Sequence, residues 1–188
     1  MLILSTPLIY KQVYDVVFNL NLEKNREQSE RLATLASIDL ENGIPPNLVL
    51  AKIQNMLETT PQSSEHFACI VEHENKVIAH PKPSNVNKDV TGWTLHNKHE
   101  TKTYTQAAGE GVQFGGIQTR TDGSQDITYQ VPISTKPWAV AVHTKLDLVE
   151  QQTLALLKSL AKILLPIVLL IVVISAFVIT KNEFKRLE

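Results

Sequence analysis

The sequence contains one cysteine, Cys69, and it sits among apolar neighbours (FACIV). A lone thiol excludes an intrachain disulfide and a CxxC metal or redox site, so Cys69 reads as a small buried hydrophobe. No long block of like charge occurs. With 18 basic and 19 acidic residues the net charge is −1, which leaves no electrostatic footprint for a nucleic-acid partner. There is no internal repeat, Gly/Ser linker or low-complexity tract, which excludes a solenoid and a disordered tether. Catalytic motifs are missing too. No HExxH, GxSxG or GK[ST] is present, and scattered Ser, His and Asp residues do not make a triad. The residues therefore point to no catalytic group and no cofactor. Gly109, Gly111, Gly115 and Gly116 precede no strand-to-helix transition, so they are expected to permit bulges or close packing in a strand rather than to cradle phosphate. His96, His99 and Glu100 (HNKHE) could share an ion on one helical turn. Without a second pair at matched spacing they read as a solvated polar loop, and no metal site is expected.

What the sequence does have is one long apolar run, Ile163 to Thr180, eighteen residues without a charge between Lys162 and Lys181. A hydrocarbon core of roughly 30 Å needs about 20 apolar residues at 1.5 Å each, and flanking lysines snorkel to make up the difference. A soluble amphipathic helix would show a polar stripe, and here only Ser175 interrupts. The run reads as a transmembrane helix. The first ten residues, MLILSTPLIY, have no basic n-region and no cleavage site and are too short to span alone. They are expected to continue an upstream transmembrane helix of a longer receptor.

Between these ends, Ile9, Val13, Val16 and Leu20, then Leu32, Leu35 and Ile38, keep the three-and-four spacing of one long helix. Its middle, Glu23 to Arg31, is polar all round, as expected where a helix crosses solvent or packs on a second copy. Gly43 with Pro45 and Pro46 ends it. A shorter helix is expected from about Asn47 to Glu58, closed by Pro61. From there to Asp147 the composition turns β-branched and aromatic. Strands are expected at Phe67–Glu72, Lys76–His80, Val112–Arg120, one alternating through Ile127, Tyr129, Val131 and Ile133, and Trp138–Thr144. Thr94 to Ala108 reads as a mixed loop and short helix. Asp147, with Glu150 three residues on, is expected to cap a last helix that runs unbroken into the span, about 33 residues or roughly 50 Å, with Pro166 as a kink site.

This order of elements resembles the Cache family of extracytoplasmic sensor domains, in its single-module form with a PAS-like sheet. The resemblance covers about Ile9 to Glu150. It is carried by VEHENKVIAHPKPSNVNKDVTGW, similar to the family's strand, turn, strand, "hP" and Gly-Lys-Asp segment, and by DGSQDITYQVPISTKPWAVAVHTKLDLVE, similar to its Asp-Gly turn, Tyr-x-x-Pro-Ile strand and final Trp strand. Asn75 and Asn87 stand where the family usually has glycine, which is tolerable because Asn visits the left-handed region. No Arg-x-Trp-Tyr type signature of amino-acid-binding members is present, so that ligand class is not implied.

The resemblance implies an α+β fold, a long N-terminal helix on a five-stranded antiparallel sheet followed by a transmembrane helix. It divides the chain into a helical segment (1–62), the sensor sheet (63–147), an exit helix entering the membrane (148–180) and the start of a cytoplasmic segment (181–188). It implies a small-molecule ligand held between one sheet face and the Pro-rich loop. His80, Trp93, Tyr104, Arg120 and Tyr129 are the large polar-tipped residues nearest that place, and Trp138 belongs to the core. The implied function is the ligand-sensing input of a membrane receptor of the histidine kinase, chemoreceptor or nucleotide cyclase type. It would be paired as a homodimer through its first helix, would relay through its last, and would not itself be an enzyme. The alternative is a tail-anchored protein with an interaction domain and no transduction. The weak basic bias around the span separates the two only slightly.

Overall fold

The computed structural model describes residues 5–60, 63 and 65–187; the start of the apolar N-terminus and Pro61 lie outside them. Residues 15–149 form one compact unit, and the described residues of 1–14 and 150–188 form another. The elements run α1 (Ser5–Glu41), α2 (Pro46–Thr59), β1 (His66–Glu72), β2 (Lys76–Ala79), β3 (Thr94–His96), β4 (Thr101–Thr103), α3 (Gln106–Glu110), β5 (Phe114–Thr119), β6 (Gln125–Ile133), β7 (Trp138–Lys145) and α4 (Leu146–Leu187).

The fold is α+β and PAS-like, but the sheet has seven strands rather than five, all antiparallel, in the order β2-β1-β7-β6-β5-β3-β4. The two extra strands lie in the stretch expected to be mixed loop. Each has three residues, too short to show alternation, and they exist because Thr94–His96 finds a partner edge in β5. The five longer strands are the five expected along the chain.

Glycine and asparagine set the chain reversals. Gly43 (φ 79°) follows α1 as its left-handed terminator, and Pro46 opens α2, where a missing N–H costs nothing. Asn75 (φ 63°) and Asn87 (φ 66°) both adopt the left-handed conformation that glycine usually supplies. Gly115 and Gly116 allow close packing. A Cβ on Gly115 would lie 2.3 Å from the Tyr129 ring, and one on Gly116 would lie 2.0 Å from the carbonyl oxygen of His96.

One face of the sheet packs on α1 and α2. Ala68, Ile70, Val131, Ile133, Trp138, Val140 and Val142 form a single apolar cluster with Ala33 and Ala36 of α1 and Val49, Ile53 and Leu57 of α2. The polar middle of α1 does not cross solvent there. Asn25 and Ser29 are fully buried against the sheet, where Asn25 Nδ2 donates to Ile127 O (2.9 Å) and Ser29 Oγ to Tyr129 O (2.9 Å). Thr144 Oγ1 donates to Asn25 Oδ1 (2.9 Å). Polar residues can take this seam because each buried group finds a partner.

Helix α4 starts two residues earlier than expected, at Leu146, so Asp147 lies in its first turn rather than at the cap. It continues through Pro166 without a break. Among the described residues it is the one helix long and apolar enough to cross a membrane.

Candidate functional site

The other sheet face is built differently. In β6 the residues on this side are Asp126, Thr128 and Gln130, and in β7 they include Ala139, Ala141 and His143, alternating with the apolar set that faces the helices. Between this face and residues 81–93 lies a cavity of about 170 Å³, lined by Phe67, Cys69, Val77, His143 and Tyr104 as its inner wall. His80, Asn85, Lys88, Trp93, Arg120 and Asp122 complete it.

Local irregularities aim these side chains. In the β1–β2 ladder Ile70 pairs Ala79 but Val71 pairs Val77, so Ile78 is an extra residue. This bulge lets Val77 face the cavity and Ala79 the helices, and it brings His80 back to the cavity side. Gln54 of α2 then clamps His80 by its backbone: Gln54 Nε2 donates to His80 O and His80 N–H donates to Gln54 Oε1, both at 2.9 Å. The left-handed Asn87 folds the loop back along β2. Asn87 N–H donates to Val77 O (2.7 Å), Val77 N–H to Lys88 O (3.1 Å) and Val90 N–H to Asn75 O (2.9 Å). Lys88 and Trp93 are thereby held over the cavity. Trp93 packs against Tyr104, with ring centroids 5.4 Å apart. Lys88 Nζ lies 5.4 Å, and Arg120 Cζ 5.1 Å, from the Trp93 ring centroid.

The inner wall is a buried hydrogen-bond chain. Thr128 Oγ1 donates to Gln118 Oε1 (3.1 Å), so its oxygen accepts from His143 Nδ1–H (3.0 Å). The unprotonated Nε2 then accepts from Tyr104 O–H (2.8 Å), and the Cys69 sulfur lies 3.4 Å away. Burial holds the His143 imidazole neutral, its pKa well below the usual value, with the Arg120 charge adding to the effect. Desolvation likewise raises the Tyr104 hydroxyl, and it pushes the Cys69 thiol up to about 12, where it is unreactive. His80 is held down to about 4, mainly by burial.

Charge enters through Arg120, which caps the β5–β6 turn. Its guanidinium bonds Asp126, which is 1% exposed, and donates from Nη1 to Ser124 Oγ (3.0 Å). Asp122 is engaged by the Ser124 amide (2.9 Å) and hydroxyl (2.7 Å) and held below the ordinary carboxylate range. Lys88 has no ion-pair partner among the described residues.

The structure brings His80, Trp93, Tyr104 and Arg120 together at this cavity and places Tyr129 elsewhere. Tyr129 sits on the helix face, over Gly115, with its hydroxyl donating to Gln113 Oε1 (3.2 Å). Period-two alternation decides this, because Tyr129 shares parity with Ile127, Val131 and Ile133. Sequence reasoning missed Phe67, Lys88 and His143. The signal for His143 was a polar residue inside an otherwise apolar strand, WAVAVHT. His96 and His99 lie at the ends of the β3–β4 turn, where Asn97 Oδ1 accepts from the amides of His99 and Glu100.

No protein-family profile matches the sequence, and no curated protein matches it. Solved structures do. The chain is 11% identical to a methyl-accepting chemotaxis protein from Vibrio parahaemolyticus over 74% of its own length and 98% of that chain, with a TM-score of 0.51. A Cache chemosensory domain described for carboxylic acid recognition aligns at 10% identity over 70% of this chain and 97% of its own, TM-score 0.47. The chain shares its fold with the Vibrio chemotaxis protein. Against the extracellular domain of the histidine kinase mmHK1S-Z2 the match has 14% identity and a TM-score of 0.40, covers 53% of this chain and spans 38% of that one.

Proposed function

We propose that this Cache domain is the extracytoplasmic input of a membrane receptor and that its cavity binds a small anion, such as a short-chain carboxylate. The observation that carries the reading is the cavity itself. Its volume of about 170 Å³ is below the usual range for drug-sized ligands, its walls are aromatic, and Lys88 presents a charge with no ion-pair partner among the described residues. An anion there would gain charge-assisted hydrogen bonds from Lys88 and the free edge of Arg120, with Trp93 and Phe67 covering its apolar part. His80, Trp93, Tyr104 and Arg120 are the proposed contacts from the sequence; Lys88 joins them.

The relay proposed is short. β7 carries His143 in the cavity wall and passes into α4 with no intervening residue. Val16, Leu20 and Ile38 of α1 are about half exposed or more and form the surface proposed for pairing two copies. With α4 across the membrane, the sheet outside requires the C-terminus inside, so a phosphatase fused after Glu188 is expected to be inactive and a fluorescent protein there to be bright.

Thermal melting of the full chain in nanodiscs tests the ligand class. An acid at a hundred times its dissociation constant adds about 2.7 kcal/mol, a visible shift. Lys88→Gln should weaken binding about tenfold or more, since 1.4 kcal/mol is one decade. Stabilisation by neutral or cationic metabolites alone, untouched by Lys88→Gln, would sink the reading.

A further inference from the structure

We propose that Asp126 positions Arg120 for the bound anion and takes up a proton when the anion binds. This rests on the anionic-ligand reading of the cavity and concerns the regulation of the same site.

Asp126 and Arg120 form a unit with two outlets. Arg120 lines the 170 Å³ cavity, and together with Asp126, Lys145 and Asp147 it also lines a separate groove of about 330 Å³. Asp126 is 1% exposed, yet only one of its oxygens is used. Oδ2 meets the guanidinium, while Oδ1 has no hydrogen-bond partner among the described residues. A buried carboxylate with an idle oxygen is held ionised chiefly by the guanidinium that bonds it, and anything that divides that guanidinium's charge acts on it directly.

Among the neighbours of Asp126 only Lys145 adds a charge of opposite sign, and it acts through space without a bond to the carboxylate. From β5, Gln118 stands directly across in register with an unpaired Nε2, a neutral donor. From β7 come Lys145, its register partner, and His143, whose Nδ1 is 3.7 Å from Oδ2. His143 is neutral and its Nδ1–H is committed to Thr128, so it brings no charge. The turn contributes Asp122, and the first turn of α4 contributes Asp147, both of the same sign as Asp126. Desolvation already raises the Asp126 pKa against the opposing pull of Arg120 and Lys145.

An anion on the free edge of Arg120 places a second negative charge across the width of one guanidinium from Asp126. Like charges that close disfavour joint ionisation, and the buried member of the pair takes the proton. The balance is simple: one anion and one proton enter from solvent, the Asp126 carboxylate becomes a carboxylic acid, and the net charge of the site is unchanged. Neutralised Asp126 leaves the guanidinium's full charge to the ligand, with Ser124 Oγ still anchoring Nη1. The bound-state pKa exceeds the free-state pKa, so affinity is greatest at the acid side and falls as pH rises through the bound-state value.

The test uses the full chain in nanodiscs with acetate and propionate as probes, by calorimetry near pH 6 in buffers of different ionisation enthalpy, with about one proton per acid as the ceiling. The expected result is a measurable fraction of a proton taken up per acid bound, lost in Asp126→Asn, whose remaining binding becomes pH-independent. Proton uptake that persists in Asp126→Asn overturns the inference, since the proton then goes elsewhere. Binding by the wild type without uptake overturns it alone, whereas binding of neither acid overturns the anion reading as well. Carbon-13 labelled aspartate gives a readout without a variant: the Asp126 carboxyl titration must move to higher pH when propionate is present, and an unmoved midpoint is fatal.

Discussion

The two faces of the sheet come from the same strands and have opposite chemistry. Towards α1 and α2 the inward positions are Ala, Ile, Val and Trp138, a cluster that gains from area removed from water and is indifferent to direction. Towards the loop they are Asp126, Thr128, Gln130 and His143, where every gain depends on a partner at the right distance, and three buried polar atoms lack one among the described residues. The helix face therefore supplies stability, and the cavity face keeps groups poised at the cost of incomplete satisfaction.

The comparison breaks most visibly at Ile53, which is 1% exposed in the helix-face cluster. Ile53→Ala should lower stability by about 2–5 kcal/mol in denaturant titration of the full chain. Protein that remains folded should bind acids with wild-type affinity; a parallel loss of affinity would show that the faces are not separable.

Adjacent glycines give a finer probe. Gly116→Ala drives a Cβ into the His96 backbone, which cannot rotate away, whereas Gly115→Ala meets the Tyr129 ring, which can. Both should destabilise, by about 1–3 kcal/mol, with Gly116→Ala the larger. The reverse order would mean that the helix face is packed more rigidly than the β3–β5 edge.

The smallest effect expected is a pH dependence belonging to the cavity face. Burial depresses the folded pKa of His143 well below that of the unfolded chain, and His80 falls to about 4. The unfolded state then binds more protons as pH falls below about 6.5, so stability is complete above that value and declines towards pH 4. His66, half-buried behind the sheet, is lowered too and adds to the slope. His143→Gln should flatten the profile measured by thermal melting between about pH 7 and 5; an unchanged slope would assign the effect to His80 and His66.

Much of the fold was written locally. The alternation of β6, the left-handed Asn75 and Asn87, the Gly43 stop and the charge-free run of α4 each depend on a few neighbouring residues, and local preference acts over that range. Part of the cavity lining was visible too, because Tyr104, His80, Trp93 and Arg120 stand out as polar-tipped residues near the loop. What the chain by itself could not settle was parity and partnership. Tyr129 is polar-tipped like the cavity residues, yet its alternation places it with Ile127 and Val131 on the helix face. His80 reaches the cavity only because a bulge at Ile78 shifts the register by one residue, and a single-residue shift reverses every side chain beyond it. The hairpin β3–β4 exists only once β5 offers an edge. The polar middle of α1 looked solvated until Ile127, Tyr129 and Thr144, each about 100 residues or more away, supplied its hydrogen bonds. The sequence determined the helices α1, α2 and α4, the five longer strands and the apolar run long enough to cross a membrane, because those follow from short-range geometry and transfer of side chains out of water. The tertiary structure alone decided which polar groups meet, because a hydrogen bond requires two partners and the chain separates them by distances no local pattern records.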